Sequence, residues 1–192
     1  MPRGGPRPST PDGVARLTLV SHGMTDATAA GRFPVDEPLT AAGRRRAAEL
    51  EVGRFELALA APERRAVQTA QVLGLSPAVE PRLADLDAGR WRGLALERVP
   101  PGDLAVWLTD PGGAPHGGES VLDVIERVRC WLDAVAGEGA RVVAVTHPAV
   151  VRAAVLVALD APPASFWRID VAPATRTLLH RRARGWTLRF TG

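Results

Sequence analysis

The sequence contains no lysine, no asparagine and no tyrosine. All 24 of its basic residues are arginine, a bias that reflects coding composition before it reflects function. Guanidinium hardly titrates, so the sequence pI of about 10.6 overstates the basicity. The formal net charge is only +3. Arginine and acidic residues are interspersed, and no dense basic face emerges of the kind that marks a nucleic-acid binder. The modest positive balance suits a small anionic substrate instead. One cysteine, Cys130, excludes an internal disulfide and a cysteine-cluster zinc site. It falls on an expected helix and reads as a buried small hydrophobe rather than a nucleophile. No metal has an obvious ligand set, and no cofactor is called for. The longest apolar run, Val142 to Leu159, contains His147, Pro148 and Arg152 and does not read as a membrane span. The stretch Val14 to Val20 is short and broken by Arg16, so no signal peptide is evident. A cytoplasmic protein without membrane or nucleic-acid partners is the expectation. P-loop, HExxH and GxSxG signatures are also missing.

What is present is enough chain for one well-buried core: 192 residues, 46% hydrophobic and 23% charged. Residues 1–13, rich in Pro, Gly and Arg, read as a disordered lead-in. Residues 14–192 read as one domain. Leu17 to Val20 is a buried strand. Thr40 caps a helix to about Leu50, with Arg44, Arg45 and Arg46 solvated. Leu57 to Ala61 is a second buried strand, and Pro62 and Glu63 open a helix closed by Gly74. Val79 to Asp87 is a short strand or extended segment. Gly89 to Gly118 is a long irregular region with one helix near Asp103 to Leu108, a length that often marks a functional lid. Ser120 with Asp123 resembles a capping box. Leu122, Ile125, Val128, Leu132 and Val135 then recur at helical spacing. Val142 to Val145 is apolar on both faces, as in a central parallel strand. Pro148 starts a helix through Leu159, and Thr177 to Arg181 with Trp186 to Phe190 reads as a hairpin around Gly185. In that hairpin Trp186, Leu188 and Phe190 alternate toward one face. Strand–helix alternation followed by a hairpin argues a three-layer α/β/α sandwich with a mostly parallel sheet.

Two apolar strands each end on a histidine: Ser21-His22-Gly23 and Val145-Thr146-His147. In open α/β sheets ligands bind where strand carboxyl ends open into a crevice. A lone histidine there is more often structural. Between the pair stand Arg64-Arg65-Ala66-Val67-Gln68-Thr69-Ala70, the segment Leu83 to Gly93, and Gly118-Glu119-Ser120. In this order and spacing the segments resemble the histidine phosphatase superfamily, the phosphoglycerate-mutase-like fold, over nearly the whole chain from Leu17. The resemblance implies a phosphomonoester hydrolase that works on a small phosphorylated metabolite through a phosphohistidine, with no metal. It implies His22 as nucleophile, Arg65 as phosphate clamp, His147 as a donor from the opposite strand and Asp85 as general acid. Ser21, Gly23, Thr28 and Arg32 fall in segments expected to line the substrate site. Glu119 either touches substrate or caps a helix, with capping preferred.

The match departs from the family at Ser21, where the first motif has arginine. It departs at Met24 and Thr28, which replace a glutamate and an asparagine, and at Pro148, which has no N–H to donate. Loss of one preorganised donor costs roughly 3 to 4 kcal/mol of transition-state stabilisation. Arg32, Arg92 and Arg152 are the candidates to refill the gap, and Ser21 leaves room for a different group. The alternative is a non-catalytic or repurposed relative that binds an anionic ligand or partner.

Overall fold

The computed structural model describes residues 13–190 except 136, 138 and 184. The expected disordered lead-in therefore lies outside the described residues, save Gly13. The described chain forms one six-stranded sheet with helices. The first strand, β1 (Ala15–Ser21), is followed by a short helix α1 (Asp26–Ala29), helix α2 (Ala41–Ala48) and strand β2 (Leu57–Ala60). Helix α3 (Arg64–Val72) and a two-residue strand β3 (Ala78–Val79) come next. Helices α4 (Pro101–Thr109) and α5 (Val121–Val135) precede strand β4 (Arg141–Thr146). Helix α6 (Pro148–Leu159) and the hairpin β5 (Arg176–Arg182) and β6 (Gly185–Arg189) complete the order.

The strand order is β3-β2-β4-β1-β5-β6. The β1–β4, β2–β4 and β2–β3 pairs are parallel, while the hairpin adds two antiparallel pairs. Helix α2 packs with α3, and α5 with α6. The chain moves one way across the sheet after α2 and α3 and the other way after α5. Right-handed crossovers therefore put the two helix pairs on opposite faces, which is the expected three-layer arrangement. The central strand β4 is buried from Val142 to Thr146, because helices cover both its faces. Its parallel register pairs Ser21 of β1 with Thr146 of β4. The next residue of each chain is a histidine, so the register delivers both imidazoles to one end of the sheet, side by side.

Several local readings need correction. Met24 to Pro38 holds the helix α1, capped by the Thr25 hydroxyl, which accepts from the Thr28 N–H. The strand after α3 is only Ala78–Val79, and a 3-10 turn, Pro81–Leu83, follows it. The capping box at Ser120 and Asp123 forms as expected. The inward stripe of α5, however, is Val121, Val124, Ile125, Val128, Trp131 and Leu132. Leu122 is exposed, and so is Cys130, which therefore does not fill the core. Phe190 projects from the end of the hairpin at 88% exposure rather than joining the face of Trp186 and Leu188. No helix among the described residues is long and apolar enough to cross a membrane.

Candidate active site

His22 and His147 face each other with ring centroids 5.2 Å apart, tilted by 60°. The Nδ1 of His22 lies 2.8 Å from the Gly23 carbonyl. A carbonyl can only accept, so Nδ1 carries the proton and Nε2 keeps its lone pair. Burial pushes the pKa of His22 down to about 4, and the neighbouring His147 and Arg65 push the same way against the Gly23 carbonyl and Asp85. The imidazole is thus neutral near pH 7, with one nitrogen free. Its position is set by the turn behind it. The Gly23 N–H donates to the Thr69 hydroxyl, which donates to the Arg65 carbonyl. Gly23 must be small: a Cβ there would lie 2.9 Å from the Gly43 carbonyl oxygen. Its N–H is therefore engaged by Thr69 rather than aimed at a ligand.

Arg65 enters from the first turn of α3, fully enclosed. It donates from one Nη to the Val35 carbonyl and from the other to Asp85, at 2.8 and 2.7 Å. Its Nε is buried without a partner among the described residues. Asp85 also lies 3.4 Å from His147 Nδ1, another buried atom with no hydrogen-bond partner among the described residues. Burial alone would raise the Asp85 pKa. The facing His147, the Arg65 charge and hydrogen bond, and His22 outweigh it and hold the carboxyl below the usual range. The segment carrying Asp85 is pinned from two sides. The Thr146 hydroxyl donates to the Leu83 carbonyl, and Arg127 donates to the carbonyls of Arg82 and Ala84.

One site residue escapes the sequence reading altogether. Glu63, at the N-cap of α3, makes no side-chain cap bond. Its carboxylate accepts from His147 Nε2 at 2.8 Å and from the Asp85 N–H at 2.9 Å. Burial opposes ionisation of Glu63, but the hydrogen bond and charge of His147 prevail and lower its pKa. The only signal in the sequence is an acidic residue just before the motif arginine, which a helix opening already accounts for.

A cavity of about 440 Å³ opens beside these groups, lined by His22, Asp85, Thr28, Arg32 and Arg152 among others. Pro148 and Ala149, at the positive end of the α6 dipole, also line it. Pro148 occupies the first helical position, where its missing N–H would have had no helical partner. Thr28 is present, though its hydroxyl already pairs with that of Thr25 at 3.0 Å. Arg32 stands at the exposed rim. Arg152 is held by Nε–H donation to the Ile169 carbonyl at 2.8 Å, and its Nη atoms have no partner among the described residues. Arg92 is engaged with Asp87 at 2.9 Å.

Two expected contact residues are held elsewhere. The Ser21 hydroxyl donates to the Ala172 carbonyl and accepts from the Thr175 N–H, fixing the loop before β5. Glu119 neither caps α5 nor lines the cavity. It forms a two-pronged pair with Arg127 and accepts from the Asp87 N–H, bracing the segment that bears Asp85. What the geometry gathers is a lone-pair nitrogen and a carboxylate at the cavity, with the enclosed Arg65 guanidinium and the fully buried His147 imidazole packed against them. Those are the parts that phosphoryl transfer to an imidazole requires.

The profile of the histidine phosphatase superfamily (branch 1) matches residues 17–192. A glucosyl-3-phosphoglycerate phosphatase of Mycolicibacterium vanbaalenii is 35% identical over 127 residues, 59% of this chain. The match spans 56% of that relative's length. Phosphoserine phosphatase 1 of Hydrogenobacter thermophilus is 27% identical over 187 residues, 89% of each chain. Among solved structures, a mycobacterial glucosyl-3-phosphoglycerate phosphatase in complex with VO3 superimposes with a TM-score of 0.82 at 27% identity. That superposition covers 92% of this chain and 98% of the other.

Proposed function

The chain belongs to the histidine phosphatase superfamily, and from that premise we propose that it hydrolyses a small phosphomonoester through a phosphohistidine. The observation that carries the reading is the free Nε2 of a neutral His22, facing His147 in a cavity that Asp85 also lines. His22 Nε2 attacks phosphorus, the bond to the ester oxygen breaks, and that oxygen takes a proton from Asp85. Water then attacks the phosphohistidine, Asp85 accepts its proton, and the P–N bond breaks to release phosphate. Splitting one difficult displacement in two is what a nucleophilic side chain contributes.

Arg65 and His147 stabilise the equatorial oxygens, and their buried unpartnered nitrogens fit an anion. Arg152 supplies the charge that Ser21 does not. It lines the cavity with His22 and has both Nη atoms open, whereas Arg92 is paired and Arg32 is exposed. Asp85 is ionised in the free protein, so its first proton arrives with the substrate monoanion. The approaching phosphoryl charge then keeps the acid protonated. Glu63 orients His147 by accepting from its Nε2–H, so Nδ1 donates to a phosphoryl oxygen when the ring carries both protons.

A second reading has one observation behind it. Both donors beside His22 already face carboxylates, Arg65 facing Asp85 and His147 Nε2 facing Glu63. That arrangement suits weak binding of an anion without turnover. The two readings separate in one assay. The protein and His22→Ala are incubated with an aryl phosphate and with phosphoserine, sugar and nucleotide phosphates. Turnover and acid-labile protein phosphate, both lost in His22→Ala, support the hydrolase. Phosphate-protected binding with neither signal supports the binder.

A further inference from the structure

The cavity that holds His22 at one end is apolar at the other. Phe33, Leu86, Leu96, Trp107 and Trp167 form that wall, with Arg152 at its edge. The rings are interlocked before any ligand arrives. Phe33 packs on Trp107 with centroids 5.4 Å apart, and the fully buried Trp91 lies behind both at 5.2 and 5.8 Å. Trp167 packs on Trp107 at 4.1 Å and donates from Nε1 to the Trp107 carbonyl. The Arg152 guanidinium lies 5.3 Å from the Trp167 ring centre, a cation–π distance.

Building on the hydrolase reading above, we infer that the substrate's leaving group is a flat, apolar alcohol that lies against Trp107 and Trp167. The chemistry of the lining argues for it. An ammonium group would find no carboxylate in this cavity except Asp85, which Arg65 already holds. Hydroxyl groups would find the Thr28 hydroxyl engaged with Thr25 and, away from the Arg32 and Arg152 guanidiniums, a wall of mostly hydrocarbon. Against that wall either group would exchange water for no partner. A planar ring loses little hydration there and gains stacking on a wall that is already assembled. A space of about 440 Å³ also far exceeds what a three-carbon acid fills.

The test compares 2-phenylethyl phosphate with glycerol 1-phosphate and phosphoserine, all esters of alkyl alcohols, so that leaving-group reactivity does not decide the ranking. The expected kcat/KM favours 2-phenylethyl phosphate by roughly tenfold or more. Trp107→Ala removes that preference by raising KM for the aromatic ester. Because Trp107 also packs against its neighbours, Leu96→Asp is the companion variant: Leu96 is 42% exposed at the cavity rim, and a charge there leaves the core intact. It should lower kcat/KM for the aromatic ester by a clearly larger factor than for glycerol 1-phosphate. Equal losses on both esters, or preference for either polar ester, overturns the inference while leaving a phosphatase in place. Absence of turnover on every ester, with no acid-labile phosphate on His22, overturns the hydrolase reading itself.

Discussion

The neutral state of His22 has a consequence for stability that can be measured without any substrate. Its pKa is about 4 in the folded protein, against about 6.5 in an unfolded chain. Between those values the unfolded state binds the proton and the folded state does not, so stability falls as the solution is acidified. The full contribution is present above about pH 6.5 and is lost progressively down to about pH 4. From about pH 7 to about pH 5 the loss from this one group is roughly 2 kcal/mol. His116 and His180, whose pKa values burial also lowers, add losses of the same sign. The difference between the protein and His22→Gln therefore isolates the term. Urea unfolding at several pH values across that range gives both curves. The variant should be the less acid-sensitive of the two by about 2 kcal/mol. Parallel curves would mean that His22 is as easily protonated folded as unfolded, and the argument for a neutral nucleophile would fall with it.

Three other outcomes follow from single contacts. Arg152→Met keeps the stem packed on Trp167 but removes the two open Nη atoms and the donation to the Ile169 carbonyl; kcat/KM for any ester that turns over should drop about a hundredfold, with a modest fall in melting temperature from the lost Ile169 bond. Gly43→Ala would set a Cβ 2.3 Å from the Met24 carbonyl oxygen. The strain should cost about 1 to 3 kcal/mol in chemical denaturation and displace the turn that aims His22, lowering kcat as well. Ser21→Arg, which restores the motif arginine, should destabilise rather than activate. Ser21 is 1% exposed and its hydroxyl bonds both the Ala172 carbonyl and the Thr175 N–H. Leaving those groups unpaired costs about 1 to 3 kcal/mol each, and a gain in activity at unchanged stability would refute this account of the position.

How far the sequence reveals this molecule depends on how local each cause is. β4 is legible because a strand buried on both faces is apolar along its length from Val142 to Val145, β1 because Leu17, Leu19 and Val20 are buried, and a histidine follows each. The start of α5 is legible because a capping box is a four-residue signal. The face of α5 is less so: leucine outranks valine in hydrophobicity, which favours a stripe beginning at Leu122, whereas packing against α6 and the sheet selects Val121, Val124 and Trp131. The same rotation turns Cys130 outward. Glu63 is invisible for a different reason. Its local context fully explains an acid at a helix start, while its actual partner, His147, is 84 residues away. The aromatic wall is hidden likewise, because Phe33, Trp107 and Trp167 come from a loop, α4 and a 3-10 turn that share no period. Ser21 shows where such reasoning reaches its limit. One position in a motif reads as a missing charge, yet a charge lacking from β1 can be supplied from any element that reaches the cavity. In this fold α6 leaves the site immediately after His147 and presents Arg152 to the same opening little more than a turn later. The departure at Ser21 is therefore a question about the far end of the chain, which only the sheet register that pairs β1 with β4 makes answerable.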